Sequence, residues 1–164
     1  MKKTTHNKNA NYINTAAIGD KLHKHLAERA KLQQKQDQLW SVIKRDHRNH
    51  SSEMKRISDQ IGANTYAIDG LINQLIHAGG RPCRAHYSAI DYLKREIARN
   101  QRIASRWEQN IREVRSGIRP FICSDGTITW DVSSAIRYVE KKKQKFGQLQ
   151  RKLSQLQNWL QRAA

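Results

Sequence analysis

The chain has 164 residues, the length of one modest domain, and its hydrophobic fraction is only 37%, with a mean hydropathy of −0.87. Its 31 Lys and Arg against 14 Asp and Glu give a formal net charge of +17. The low apolar content argues against a broad globular core, and no apolar run approaches the ~18 residues of a membrane span. Long helices that bury a narrow apolar stripe reconcile this composition with a folded chain.

Cysteine usage and the N-terminal residues indicate the cellular setting. Cys83 and Cys123 are too few for a disulfide framework. The basic N-terminus is not followed by the apolar stretch of a secretory signal. We therefore expect a cytoplasmic protein in a reducing environment. Residues 1–14 are polar, basic and rich in Asn, and we predict that they form a flexible arm.

Most of the remaining chain has helical periodicity. Apolar residues recur three and four positions apart and predict helices over about 15–61, 64–78, 84–116 and 131–162. The third helix has the most regular stripe, formed by Ile90, Leu93, Ile97, Asn100, Ala104, Trp107, Ile111 and Val114. Polar residues at 48–52 and a Gly and an Asn at 62–64 leave open whether the first helix is continuous through these two segments.

A β-hairpin is predicted over 120–130. Asp125-Gly126 is a strong signal for a tight turn, and short apolar segments flank it. If the turn has two residues, Phe121 lies opposite Trp130 and Cys123 opposite Ile128. Strand alternation then gathers these four side chains on one face, which should pack on the helices.

The predicted elements define the fold class. It is mainly α: an elongated antiparallel helical bundle or coiled coil with one small β-hairpin. The helices and the hairpin are expected to form a single helical domain over 15–164. At ~1.5 Å per residue, a helix of about thirty residues is roughly 45 Å long.

Few residues have the patterns that enzymes or metal sites require. Carboxylates are scattered rather than clustered as in two-metal sites, and no Gly-rich phosphate loop is present. Cys83 and His86 lie three apart, with His77 upstream, but a zinc site needs about four ligands. A catalytic triad assembled only by folding would not be visible in the sequence. We expect a protein that is not an enzyme and has no metal and no cofactor.

The basic residues carry the functional signal. Arg95, Arg99, Arg102 and Arg106 are spaced by four, three and four, so they line one face of a helix over roughly 16 Å. A second row begins at Arg137, and a third group lies near Lys44. The residues predicted to contact nucleic acid are Arg81, Arg84, Arg95, Arg99, Arg102, Arg106, Arg112, Arg115, Arg137, Lys141, Lys142, Lys145, Lys44, Arg45 and Arg48.

The tryptophans are not expected to stack on bases. Trp107 and Trp130 fall in the helical stripe and in the apolar face of the hairpin, and Trp40 and Trp159 stand beside apolar stripe residues. Stacking on unpaired bases is therefore the minor alternative. Because no base-reading motif is present, we expect contacts mainly with phosphates.

Strong positive charge attracts polyanions, so the leading hypothesis is a non-catalytic nucleic-acid-binding accessory protein. The sequence does not distinguish DNA from RNA or single from double strands. The alternative is a protein-binding adaptor or inhibitor, of the phage or plasmid type for example, that docks on an acidic or nucleic-acid-binding groove of a nucleoprotein machine. A homodimer or a subunit of a larger assembly is a further alternative, and a membrane role is not expected.

Overall fold

The computed structural model describes residues 14–78 and 81–163. It contains four helices and one antiparallel strand pair: α1 Thr15–Asp46, α2 Ser51–His77, α3 Arg84–Arg115, β1 Phe121–Ile122, β2 Ile128–Thr129 and α4 Ser133–Ala163. The predicted mainly α fold with a small β-hairpin is therefore confirmed. Except for Asn14, the predicted flexible arm lies outside the described residues. Within the described ranges, no helix is both long and apolar enough to cross a membrane.

The first half of the chain breaks at the first of the two segments that the sequence left open, 48–52, and not at the second. The predicted helix 15–61 is interrupted after Asp46, where His47 takes a left-handed conformation with φ of 53°. Its N–H still donates to the carbonyl of Ile43 at 2.9 Å, which closes the last turn of α1. The predicted break at 62–64 is wrong, because α2 runs through it.

Tertiary contacts explain why α2 continues through 62–64. A Gly in a helix costs only about 1 kcal/mol relative to Ala. Two contacts with α1 offset that cost. The side chain of Asn64 forms a hydrogen bond with His25 Nδ1 of α1 at 2.8 Å, and Thr65 accepts a hydrogen bond from Arg29 of α1. These contacts hold the segment against α1.

The helices form two antiparallel pairs. Gln36 of α1 bonds Ser58 of α2, whereas Arg29, further back on α1, bonds Thr65, further forward on α2. The same reversal relates α3 to α4, since His86 stacks on Trp159 and Trp107 packs against Tyr138. We call α1 with α2 the first helical hairpin and α3 with α4 the second helical hairpin.

The two helical hairpins share a core at one end only. This shared core draws buried residues from all four helices: Ile18, Leu22, Ile68, Leu71, Ile72, Leu75, Ala85, Ala89, Ile90, Tyr92, Leu93, Leu149, Leu153 and Leu156. At the other end each helical hairpin has its own buried cluster. Leu39, Ile43, Met54 and Ile57 form that of the first; Ala104, Ile111, Ala135 and Val139 form that of the second.

The strand register differs by one residue from the predicted pairing. Phe121 pairs with Thr129 and Ile122 with Ile128. The N–H of Cys123 donates to the carbonyl of Thr127 at 2.8 Å, which leaves three residues in the loop. The last of them, Gly126, has a φ of 84°. This is the pattern of a three-residue hairpin whose final loop residue is left-handed, so the predicted two-residue turn is wrong.

The β-hairpin connects the separate ends of the two helical hairpins. Ile122 packs against the cluster of the first helical hairpin, and Phe121 packs against that of the second. The loop also meets the α1–α2 connection, where the N–H of His50 donates to the carbonyl of Ser124 at 2.9 Å. A Cβ on Gly126 would clash with the carbonyl oxygen of His47. The β-hairpin therefore links the two helical hairpins at the end of the molecule that the shared core does not reach.

Candidate nucleic-acid interface

Helix α3 carries the central row of basic residues. Its predicted apolar stripe is indeed its inner face, with Leu93, Ala104 and Ile111 buried. Arg102 and Arg106, which lie away from that stripe, are exposed, and so is Arg95, two turns before Arg102. At ~1.5 Å per residue the three guanidinium groups are distributed over roughly 16 Å of helix. Such a row can donate hydrogen bonds to several phosphate oxygens.

Arg99 does not share the exposure of the row in which the sequence placed it. Its side chain is half-buried. Burial, followed by the positive charge of Arg99, lowers the pKa of Lys142 on α4. Arg99 also counteracts the burial that raises the pKa of Tyr138.

The other predicted residues differ in exposure. Those that are exposed are Arg81, Arg84, Arg95, Arg102, Arg106, Arg112, Arg115, Arg137, Lys141, Lys44, Arg45 and Arg48. Besides Arg99, Lys142 and Lys145 are half-buried. The row predicted on α4 is therefore split, because Arg137 and Lys141 face solvent while Lys145 bonds Asp69 of α2 at 3.0 Å.

Carboxylates neutralise few of the exposed predicted cations. Arg45 pairs with its neighbour Asp46 at 2.7 Å, and this hydrogen bond lowers the pKa of the carboxyl group. Most other ion pairs use cations outside the predicted set: Lys55–Asp59, Arg119–Glu113, Lys143–Glu108 and Arg29–Glu96. Over 14–78 and 81–163, no carboxylate lies within 4.0 Å of Arg95, Arg102 or Arg106.

A layer of charged residues lies between the two helical hairpins, and the sequence reasoning missed it. We call it the polar layer; its members are Arg29, Asp69, Glu96, Lys145 and Lys152. Arg29 donates to both carboxylate oxygens of Glu96, at 2.7 and 2.8 Å. The two residues are only 9% and 8% exposed. Lys145 and Lys152 lie 3.0 and 3.3 Å from the carboxylate of Asp69.

A sequence signal for the polar layer existed. Arg29 stands seven residues after Leu22 and three before Leu32, which is the spacing of the buried stripe of α1. A charged residue at a stripe position requires a buried partner of opposite charge. Its identity, Glu96, could not be read from the spacing, because the partner belongs to another helix.

Cys83 and His86 have a structural role at the start of α3. The N–H of Cys83 donates to His86 Nδ1 at 3.1 Å, so the first turn of the helix is closed by this pair. The ring of His86 stacks on Trp159 with centroids 4.3 Å apart. In the part of the chain that the structure describes, no three His, Cys, Asp or Glu residues are grouped as a metal site would require. Both cysteines are free.

Trp130 does not occupy the buried position that the sequence predicted. With the register displaced by one residue, Trp130 and Ile128 are 54% and 56% exposed. Trp107, by contrast, packs between Phe121 and Tyr138, and Trp40 packs against the cluster of the first helical hairpin. The aromatic residue available to a ligand near the β-hairpin is therefore Trp130.

The candidate interface combines an exposed arginine row on α3 with a semi-buried polar layer behind it. When the chain was compared with protein-family models, with curated proteins and with solved structures, none of them matched.

Proposed function

We propose that the protein is a non-catalytic, cytoplasmic nucleic-acid-binding accessory protein that contacts the phosphate backbone of DNA or RNA through exposed Lys and Arg side chains. One observation carries the proposal. Arg95, Arg102 and Arg106 are exposed on one face of α3 and have no carboxylate partner in the described ranges. Unneutralised guanidinium groups in a regular row are the electrostatic footprint of a protein that binds a polyanion.

The overall charge supports the same proposal. A formal net charge of +17 on 164 residues exceeds what solubility requires, which is about eight for a small domain. Such a charge attracts polyanions from a distance and raises their association rate. The row on α3 then offers the short-range contacts that hold the ligand.

Salt dependence is the direct test. If about six phosphates are contacted, the plot of log affinity against log salt concentration should have a slope near −5 for duplex DNA. The measurement is fluorescence anisotropy of labelled duplex and single-stranded oligonucleotides, with protein purified free of nucleic acid. A slope near zero for DNA and for RNA would overturn the proposal.

Charge reversal tests whether the α3 row carries the contacts. Replacing Arg95, Arg102 and Arg106 by Glu should abolish most of the affinity and reduce the salt slope by about one for each arginine lost. A matched control reverses three exposed lysines of α1, Lys24, Lys31 and Lys35, with the same change in net charge. The control should lose less affinity, since charges more than ~8 Å from the ligand are screened at physiological salt.

A protein-binding adaptor or inhibitor is the second candidate. The exposed Ile128 and Trp130 on the β-hairpin favour it, because adjacent exposed apolar side chains are typical of protein contact sites. A protein of this kind would have no affinity for DNA or RNA, yet would form a stoichiometric complex with an acidic component of a nucleoprotein machine. Trp130→Ser should weaken that complex and leave any binding of nucleic acid unchanged.

A further inference from the structure

A cavity of about 280 Å³ lies between the two helices of the second helical hairpin. Ala104 of α3 and Phe146 of α4 contribute its apolar walls. Asn100 interrupts the apolar stripe of α3 at this level, and Lys142 and Lys143 interrupt that of α4, so the two helices leave a gap there. The volume is close to the lower end of ligand sites, ~300–1,000 Å³, and far exceeds the ~30 Å³ of one water. It suits a ligand of one small ring system.

Asn100 brings an unused hydrogen-bond acceptor to this cavity. The side chain is only 4% exposed, and its Nδ2 donates to the carbonyl of Glu96 at 2.8 Å. The opposite orientation of the amide would place its oxygen against that carbonyl, and two acceptors cannot bond each other. The Oδ1 is buried and has no hydrogen-bond partner among the residues that the structure describes. A buried acceptor without a donor is unfavourable, so a ligand that supplies a donor is stabilised here.

The charged residues of the cavity leave one unused donor. Glu108 of α3 and Lys143 of α4 form an ion pair with each other. Lys142 lies over the ring of Tyr138, with Nζ 5.2 Å from the ring centroid, and over 14–78 and 81–163 it has no carboxylate within 4.0 Å. The matching ligand therefore presents a donor to Asn100 and an acceptor to Lys142. A phosphodiester does not match, because it has acceptors only.

The cavity opens beside the arginine row of α3. Gln101 and Ser105 line it and are exposed. They directly precede Arg102 and Arg106 in the sequence. At ~3.6 residues per turn, Ser105 and Arg102 lie about 60° apart around the helix axis. A strand whose phosphates contact the row would thus run past the opening.

We propose that this cavity receives the Watson–Crick edge of one unpaired nucleobase. Each of the four bases presents a donor next to an acceptor on that edge, for Asn100 Oδ1 and the Lys142 ammonium respectively, and its ring packs against Phe146. In a duplex this edge is used for base pairing, so the site selects single strands. For a base within a strand the proposal rests on the proposed function; a free nucleoside has the same chemistry, and the test separates the two.

Fluorescence anisotropy with two labelled single strands tests the site. One strand carries bases, and the other is abasic with the same number of phosphates. The wild-type protein should bind the first about tenfold more tightly, the order that one stacked base supplies. Asn100→Leu removes the acceptor, and Ser105→Phe obstructs the opening. Each should bring the affinity ratio near one and leave affinity for the abasic strand unchanged.

Ser154→Phe is the matched control, since Ser154 is exposed on α4 and does not line the cavity. This variant should keep the tenfold ratio. Equal affinity of the wild-type protein for the two strands would overturn the proposal, and so would a full ratio in Asn100→Leu.

NMR of the wild-type protein gives a result even if a variant fails to fold. Uridine should shift the side-chain amide resonances of Asn100, because the base bonds the same amide group, whereas ribose should not. If these resonances do not move in saturating uridine, the cavity holds only water and the proposal is wrong.

The same measurements separate this site from the proposed function. The salt slope for the abasic strand reports phosphate contacts alone. A steep slope with an affinity ratio of one would overturn the base site and leave the proposed function standing. If neither strand binds but uridine shifts Asn100, the proposed function fails, and the site takes a free nucleoside.

Discussion

The two ends of the molecule are held together in different ways. At one end a single core joins all four helices, with Leu22, Ile72 and Leu93 fully buried. At the other end each helical hairpin buries its own smaller cluster, and the β-hairpin links the two through Phe121 and Ile122. Between them lies the polar layer.

The difference shows how a chain with little apolar content can hold long helices. A narrow stripe buries enough surface to pair α1 with α2 and α3 with α4. A second interface, between the pairs, needs apolar residues on further faces, and the chain has these at the shared-core end only. Elsewhere the faces between the pairs carry charged residues, which form the ion pairs of the polar layer.

The largest expected effect on stability comes from breaking the ion pair between Arg29 and Glu96 in the polar layer. Glu96→Leu should destabilise the protein by about 3–5 kcal/mol, because Arg29 would remain buried without its partner. Urea unfolding gives the loss, and Glu28→Leu on the exposed face of α1 is the control, expected within about 0.5 kcal/mol of wild type. Adding Arg29→Met to Glu96→Leu should recover most of the stability. A single variant as stable as the control would contradict the buried pair.

The next effect compares the two ends directly. Leu93→Ala, at a fully buried position of the shared core, should cost about 2–5 kcal/mol. Leu39→Ala in the cluster of the first helical hairpin should cost less, because its side chain is not completely enclosed and the site can relax. The free energy of unfolding of both variants would be measured in urea. Equal losses would mean that the two ends are equally well packed.

A smaller effect tests the bridge at the β-hairpin. Gly126→Ala should cost roughly 1–2 kcal/mol from its left-handed backbone alone, and its Cβ would press on the carbonyl of His47. Hydrogen exchange at the amide of His50, which donates to Ser124, should accelerate.

Gly62→Ala is the control for the same type of substitution. Nothing lies within 4 Å of a Cβ at Gly62, in the middle of α2. That variant should gain up to about 1 kcal/mol. A loss of stability in Gly62→Ala would contradict the continuity of α2 through 62–64.

The smallest effect is a pH dependence at the shared-core end. Burial lowers the pKa of His86, and the carbonyls of Leu75 and Cys83 offset this only in part. The folded protein thus binds fewer protons than the unfolded chain just below the ordinary pKa of histidine, ~6.5. Stability should be fully present above that pH and decline as the pH falls from about 6.5 to the lower pKa of the folded state.

Substitution of His86 tests whether this residue causes the decline of stability with falling pH. In His86→Gln the free energy of unfolding should depend less on pH below about 6.5 than in the wild type. If the slope survives in His86→Gln, another group is responsible for it.

Much of the second helical hairpin could be predicted from the sequence. The stripe from Ile90 to Val114 is the buried face of α3, and most of the predicted cations are exposed. The partial burial of Arg99 could not be predicted, because the neighbouring helix decides how far a position at the edge of a stripe is covered. The predicted contacts with nucleic acid remain a prediction.

The β-hairpin shows a second limit. Asp125-Gly126 predicted a turn, and a turn is present. The length of its loop, however, depends on contacts with a distant part of the chain. The close approach of Gly126 to His47 and the hydrogen bond from His50 to Ser124 join the loop to the α1–α2 connection. A three-residue loop satisfies these contacts, and with it Trp130 becomes exposed. Local propensity does not contain information about a docking partner some 75 residues away in sequence.

The sequence by itself determined the helical fold, the surplus of positive charge and the presence of a hairpin, because periodicity, composition and turn propensity act over a few neighbouring residues. Only the tertiary structure decided where the first helix breaks, which strand residues pair, and that Arg29 meets Glu96. Each of these depends on a contact between helices or loops that are distant along the chain. The physical reason is that marginal local preferences of about 1 kcal/mol are overruled by packing and by the burial of charge.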